Sequence, residues 1–134
     1  MNYRVHSSRG RSLYNAIESF GDFDQIEMSE ELQRGLKKYG IYSPSKFMRR
    51  RFLDLLSKKD FALELDEENE EECIFTYLTY CLYMVHHHSL NPQFLIVTPS
   101  KKKARYIYEI ARGLSSKMGT NIYLCLDKNR IVDD

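Results

Sequence analysis

Cysteine is scarce in this chain and odd in number: Cys73, Cys81 and Cys125, each set in an apolar segment. That excludes a disulfide framework and predicts reduced core thiols in an intracellular protein. No secretory signal or lipidation motif stands at the N-terminus. A long apolar run is missing too: the most apolar stretch, residues 73–85, is too short and too rich in tyrosine to cross a bilayer. The expectation is a soluble protein without membrane partners, cytoplasmic, with the nucleus left open. Charge of one sign is not in excess, since 20 basic residues face 19 acidic ones. There is therefore no global pull toward nucleic acid. No Ser/His/Asp or Cys/His arrangement stands out, because the cysteines lie in apolar patterns and not beside a base. With 134 residues the chain holds one domain at most.

What is present is segregated charge. Basic runs occur at Arg49-Arg50-Arg51 and Lys101-Lys102-Lys103, and six of the seven residues from 66 to 72 are carboxylic acids. The acidic run, Asp66, Glu67, Glu68, Asn69, Glu70, Glu71 and Glu72, follows an apolar segment of strand length at 61–65 and precedes an apolar helix. Strand, turn and helix N-terminus is the place where many α/β proteins hold a phosphate, using backbone N–H groups and the helix dipole. Here that place is filled with negative charge, which argues against a nucleotide there.

The periodicities predict further elements. A short helix is expected at 12–19. Ser29 caps a helix to Tyr39 with Leu32 and Leu36 on one face and Gly40 as its stop. Ser45 caps a second, residues 46–57, lined by Phe47, Phe52, Leu53 and Leu56. A third is expected at 70–88, ended by Asn91-Pro92, and a fourth from Pro99-Ser100 to 117, with Ala104, Ile107, Ile110, Ala111 and Leu114 at helical spacing. Residues 61–65, 94–98 and 121–126 read as strands, and the continuous apolar run at 94–98 suits a strand buried on both faces. Strands alternating with helices predict an α/β fold of three layers, with a small parallel sheet of about three strands.

From Phe23 to its end the chain resembles the first RecA-like domain of DEAD-box RNA helicases, of the translation-initiation-factor type. Phe23-Asp24, Leu32-Gln33-Arg34-Gly35-Leu36, Tyr39-Gly40 and Pro44-Ser45 keep the family's order, ungapped as far as Ala104. The resemblance implies a partial RecA-like domain over 23–134, preceded by an extension at 1–22. It places Phe23 at the aromatic that stacks on adenine, and Met48 where the family has the glutamine that reads the adenine edge. Methionine cannot make that pair of hydrogen bonds. On the phosphate-binding loop Ala-x-x-Gly-x-Gly-Lys-Thr it sets Glu68 and Glu70 at the glycines, Glu71 at the lysine and Glu72 at the magnesium-binding threonine. Glycine lets backbone approach phosphate and lysine neutralises it. Like charges about 4 Å apart repel by roughly 4 kcal/mol at an effective dielectric near 20.

Another implied element is better kept. The family's RNA-contacting Pro-Thr-Arg-Glu-Leu-Ala reads Pro99, Ser100, Lys101, Lys102, Lys103 and Ala104 here, with Arg105 next. The family's Gly-Gly is Asp127-Lys128, and the Asp-Glu-Ala-Asp segment does not occur within these residues. The resemblance thus implies a helicase relative that is not an enzyme, binds no ATP and needs no cofactor.

Each feature also has a plainer reading. The acidic run is either a solvated loop in a disused site or a docking epitope for a basic partner. Lys101, Lys102 and Lys103 are either an exposed first turn or phosphate contacts. His86-His87-His88 on a helix point about 100° apart and cannot share one metal ion, so they read as a helix end and no metal is expected. Two functions remain: a non-catalytic, helicase-derived module that binds protein in RNA metabolism, or an ATP-independent RNA-backbone binder using Pro99, Ser100, Lys101, Lys102, Lys103 and Arg105. RNA bound so would be read with little sequence preference. A three-strand sheet would leave open edges, which predicts a homodimer, a partner chain or a larger parent protein.

Overall fold

The computed structural model describes residues 21–127 and 130–132; the helix expected at 12–19 lies outside them. Among the described residues four helices carry the structure: α1 (Glu30–Lys38), α2 (Lys46–Leu56), α3 (Glu70–Met84) and α4 (Lys101–Ser115). A 3-10 turn, Phe23–Ile26, leads into them, and a second, Glu67–Asn69, runs directly into α3.

Local chemistry accounts for the helix ends. Three serines act as N-caps, with the Oγ of Ser29, Ser45 and Ser100 accepting the backbone N–H of Leu32, Met48 and Lys103 at 3.2, 3.1 and 3.2 Å. Helix α1 stops at Gly40, whose φ of +78° is a conformation that suits glycine. The Ile41 N–H then returns to the Leu36 carbonyl at 3.1 Å.

Helical spacing turns Leu32, Leu36, Phe52, Leu56 and Leu114 fully inward. Each such side chain contributes about 2 kcal/mol by leaving water. Phe52 of α2 meets the edge of Tyr80 on α3 at 5.5 Å, and Tyr83 one turn on donates its hydroxyl to the Ile26 carbonyl at 2.6 Å. Tyr39 packs edge-on against Phe75 at 5.0 Å, joining α1 to α3. Helices α1 and α4 approach so closely that a Cβ on Gly35 would lie 2.1 Å from the Leu114 carbonyl oxygen. Only glycine permits that crossing.

The parallel three-strand sheet does not form among the described residues. Residues 61–65 and 94–98 belong to no helix and join no ladder among the described residues, and Phe61, Phe94, Leu95, Ile96 and Val97 are all exposed. A parallel strand takes its hydrogen bonds from segments distant in sequence, and the one ladder among the described residues joins two other segments. The third expected strand is in part real but has a different partner. Strand β1 (Leu124–Asp127) pairs antiparallel with β2 (Arg130–Val132), with Leu124 opposite Val132 and Cys125 opposite Ile131. A hairpin can be closed locally, and a parallel crossover cannot. The pairing leaves Cys125 exposed, against the expectation of a core thiol, while Cys73 is buried.

Helix α3 ends at Met84, four residues before its expected end, because Val85 turns extended (ψ 139°). The Gln93 side chain closes the following loop, accepting from the His86 N–H at 2.8 Å and donating to the His86 carbonyl at 2.9 Å. His86, His87 and His88 therefore sit beyond the helix, exposed. No helix among the described residues is long and apolar enough to cross a membrane.

Candidate functional site

The acidic run and the basic run, about thirty residues apart in sequence, meet in the fold. Glu70, Glu71 and Glu72 form the first turn of α3, a helix whose N-cap Asn69 makes no side-chain cap. Carboxylates there complement the positive end of the helix dipole. All three also find partners on other elements. Glu70 forms an ion pair with Lys103 of α4, Glu71 accepts the Tyr106 hydroxyl at 3.1 Å, and Glu72 accepts the Ser45 hydroxyl at the head of α2. One turn of acids thus ties α3 to both α2 and α4.

The Lys103 contact relieves an electrostatic cost. Three lysines at the start of α4 lie at the positive end of its dipole, where cations are disfavoured by a few tenths of a kcal/mol. Glu70 offsets this for the innermost. Tyr106 lies three residues on from Lys103, on the same helical face. Its phenol is pushed above the ordinary range, first by desolvation and then by the Glu71 carboxylate that takes its hydrogen bond. Asp66, Glu67 and Glu68 take no part in this turn and remain exposed.

The other sequence-predicted residues divide cleanly. Phe23 and Met48 are both buried, with 2% and 3% of their surface exposed, and both belong to the hydrophobic core. Pro99, Ser100, Lys101, Lys102 and Arg105 are exposed together around the head of α4, whereas Lys103 is drawn to Glu70. Lys128 lies outside the described residues.

Sequence reasoning missed Ser45 and Tyr106 as partners of the acidic turn. Tyr106 had a signal, its spacing from Lys103; Ser45 had none, since a cap serine looks the same with or without a distant carboxylate. No group of three or more His, Cys, Asp or Glu side chains is arranged to hold a metal ion among the described residues. Burial pushes the Cys73 thiol up, only partly countered by a hydrogen bond with Tyr77, so it is held protonated and unreactive.

Known proteins extend this picture. No family model matches the chain. It is similar to Eukaryotic initiation factor 4A of Dictyostelium discoideum, 27% identical over 139 aligned positions that cover 98% of this chain and 34% of the relative. ATP-dependent RNA helicase eIF4A of Kluyveromyces lactis is 26% identical, with 90% of this chain and 31% of the relative covered. Eukaryotic initiation factor 4A of Caenorhabditis elegans is 25% identical, with 84% and 27% covered. The chain spans about a third of the length of these relatives. It is thus related, at a distance, to part of an RNA helicase.

Proposed function

We propose that residues 23–134 are a helicase-derived module, RecA-like in descent, that has given up nucleotide chemistry and acts in the cytoplasm by binding protein in RNA metabolism. One observation carries this reading. Glu70, Glu71 and Glu72, aligned by resemblance with glycine, lysine and threonine of a phosphate loop, are engaged by Lys103, Tyr106 and Ser45. Carboxylates already occupy the N-terminus of α3, and a triphosphate brought there would meet their charge. Burial of Phe23 and Met48 supports the same reading, since an aromatic that stacks on adenine needs an accessible face. The relatives' name, ATP-dependent RNA helicase, supports a setting in RNA metabolism.

The test is thermal unfolding with and without magnesium-ATP. No change in melting temperature is expected; a clear rise would overturn the proposal, because a ligand that binds only the folded state must stabilise it.

A second reading has its own observation: Lys102 and Arg105 are exposed beside Ser100 at the head of α4. These groups suit RNA phosphates, with affinity falling steeply as salt rises. Anisotropy titration of single-stranded RNA at two salt concentrations tests it. Lys101→Glu/Lys102→Glu should abolish salt-dependent binding, and unchanged affinity rules out this surface.

A further inference from the structure

Gly113 lies in the last turn of α4, where alanine is the better helix former. Packing gives the reason for glycine. A Cβ there would fall 2.1 Å from the Tyr39 hydroxyl oxygen and 3.0 Å from the ring carbon that bears it. The tip of Tyr39 thus lies against α4 at Gly113, and its ring meets Phe75 on α3 edge-on at 5.0 Å. Although held on two sides, Tyr39 is still 40% exposed.

A second tyrosine stands on the same face of α4. Tyr106 precedes Gly113 by about two helical turns and is 45% exposed. Its hydroxyl donates to Glu71 Oε1 at 3.1 Å, and Glu71 lies one turn before Phe75 on α3. Two exposed tyrosines therefore border one line of α3, Tyr39 against Phe75 and Tyr106 against Glu71. Tyr39 is near enough to add, after desolvation and Glu71, to the upward push on the Tyr106 phenol.

The carboxylate between them is open to a ligand. Glu71 is exposed, and its second oxygen accepts no hydrogen bond among the described residues. Glu70 has a cation in Lys103, whereas Glu71 is met by a phenol that brings no charge to offset it. Asp66, Glu67 and Glu68 lead into α3 just before it and are exposed. Charge alone would draw any cation. The tyrosines add shape: a guanidinium is planar, stacks on aromatic faces and offers paired N–H donors to a carboxylate. An ammonium is compact and more strongly hydrated, and gains less there.

We propose that Tyr39, Tyr106 and Glu71 form a recognition site for an arginine side chain carried by a partner protein. The guanidinium takes the second oxygen of Glu71 and stacks on the exposed tyrosines, while the rest of the acidic run attracts the segment that carries it. This deepens the protein-binding reading and rests on it for a protein partner; the side chain read, and the tyrosines that read it, are new.

Anisotropy titration of the full chain with three labelled Gly-Ser peptides tests the site, one carrying arginines, one lysines and one citrullines at the same positions. The arginine peptide should bind at least about tenfold more tightly than the lysine peptide, and the citrulline peptide, planar but uncharged, should not bind. Equal affinity for arginine and lysine, or no arginine binding, overturns the proposal. Tyr39→Leu/Tyr106→Leu leaves the carboxylates in place, so helicity by circular dichroism should be retained while the preference for arginine disappears. Gly113→Ala is the finer probe. Alanine suits the helix, so melting should hold, but its methyl displaces Tyr39 and should weaken arginine binding at least about threefold. An arginine preference unchanged in both variants also overturns the site. Magnesium-ATP melting separates the two ideas: a chain that ignores both ATP and arginine loses only this site, and one that ATP stabilises loses the nucleotide-free reading whatever the peptides show.

Discussion

The two segments at 61–65 and 94–98 are more apolar than helices such as α1, yet the helices are packed while Phe61, Phe94, Leu95, Ile96 and Val97 stand exposed. A helix satisfies its backbone from residues four positions away, and here its ends are met by nearby serines at 29, 45 and 100. Only its apolar face then needs a neighbour, and Phe52 finds Tyr80 while Leu114 lies against Gly35. An extended segment carries two unmet backbone edges as well as its side chains, and both must be met from elsewhere. Apolar content says that a segment gains by burial; its hydrogen-bond geometry says whether local chain suffices to bury it.

The largest expected effect sets one region directly against the other. Phe52→Ala removes a fully buried ring at the α2–α3 contact and should cost about 4 kcal/mol in urea unfolding followed by circular dichroism. Leu95→Ala should change stability by no more than about 0.5 kcal/mol, since its side chain is exposed. Comparable losses at the two positions would mean that residues 94–98 are packed in solution, and the contrast would fail.

The same contrast explains what could be read in advance. Helices α1, α2 and α4 were legible because cap, spacing and stop lie within a dozen residues: Ser29 with Leu32, Leu36 and Gly40, for instance. The expected parallel sheet is not found among the described residues, and a run such as 94–98 shows β-propensity without naming a partner. Helix α3 was read four residues too long, because its end depends on the Gln93 side chain gripping His86 from across a loop. In the candidate site the charges were plain in sequence. The joining of Glu70 to Lys103 and of Glu72 to Ser45 was not, since it follows from how α2, α3 and α4 pack.

Alkaline pH should loosen the helical region at α3. Burial pushes the Cys81 thiol from 9.0 up to about 11, and Tyr77 on the same helix, also chiefly through burial, up to about 12. The folded state therefore keeps the Cys81 proton through a range in which the unfolded chain releases it. This contribution is fully present below pH 9 and is lost as pH rises from 9 through about 11, by about 2 kcal/mol after allowance for residual exposure. Urea midpoints should fall across that window, and Cys81→Ala should flatten the fall. A midpoint indifferent to pH there would show that α3 is wetter than the packing around Leu78 and Leu82 requires.

The smallest effect is expected at the acidic turn, which stands between the two regions: residues 61–65 lead into it and α3 leads out. Glu70→Gln keeps the shape of the side chain and removes one charge from the helix N-terminus and from the contact with Lys103. Both partners are about half exposed, so water and salt screen the pair, and a loss of about 0.5 kcal/mol is expected, shrinking further in high salt. A loss well above 1 kcal/mol in urea unfolding would mean that the turn holds α4 onto the bundle, making the carboxylates a structural clasp. A small, salt-sensitive loss instead leaves the core to set stability and the charge at 66–72 to act at the surface, as the interaction reading requires.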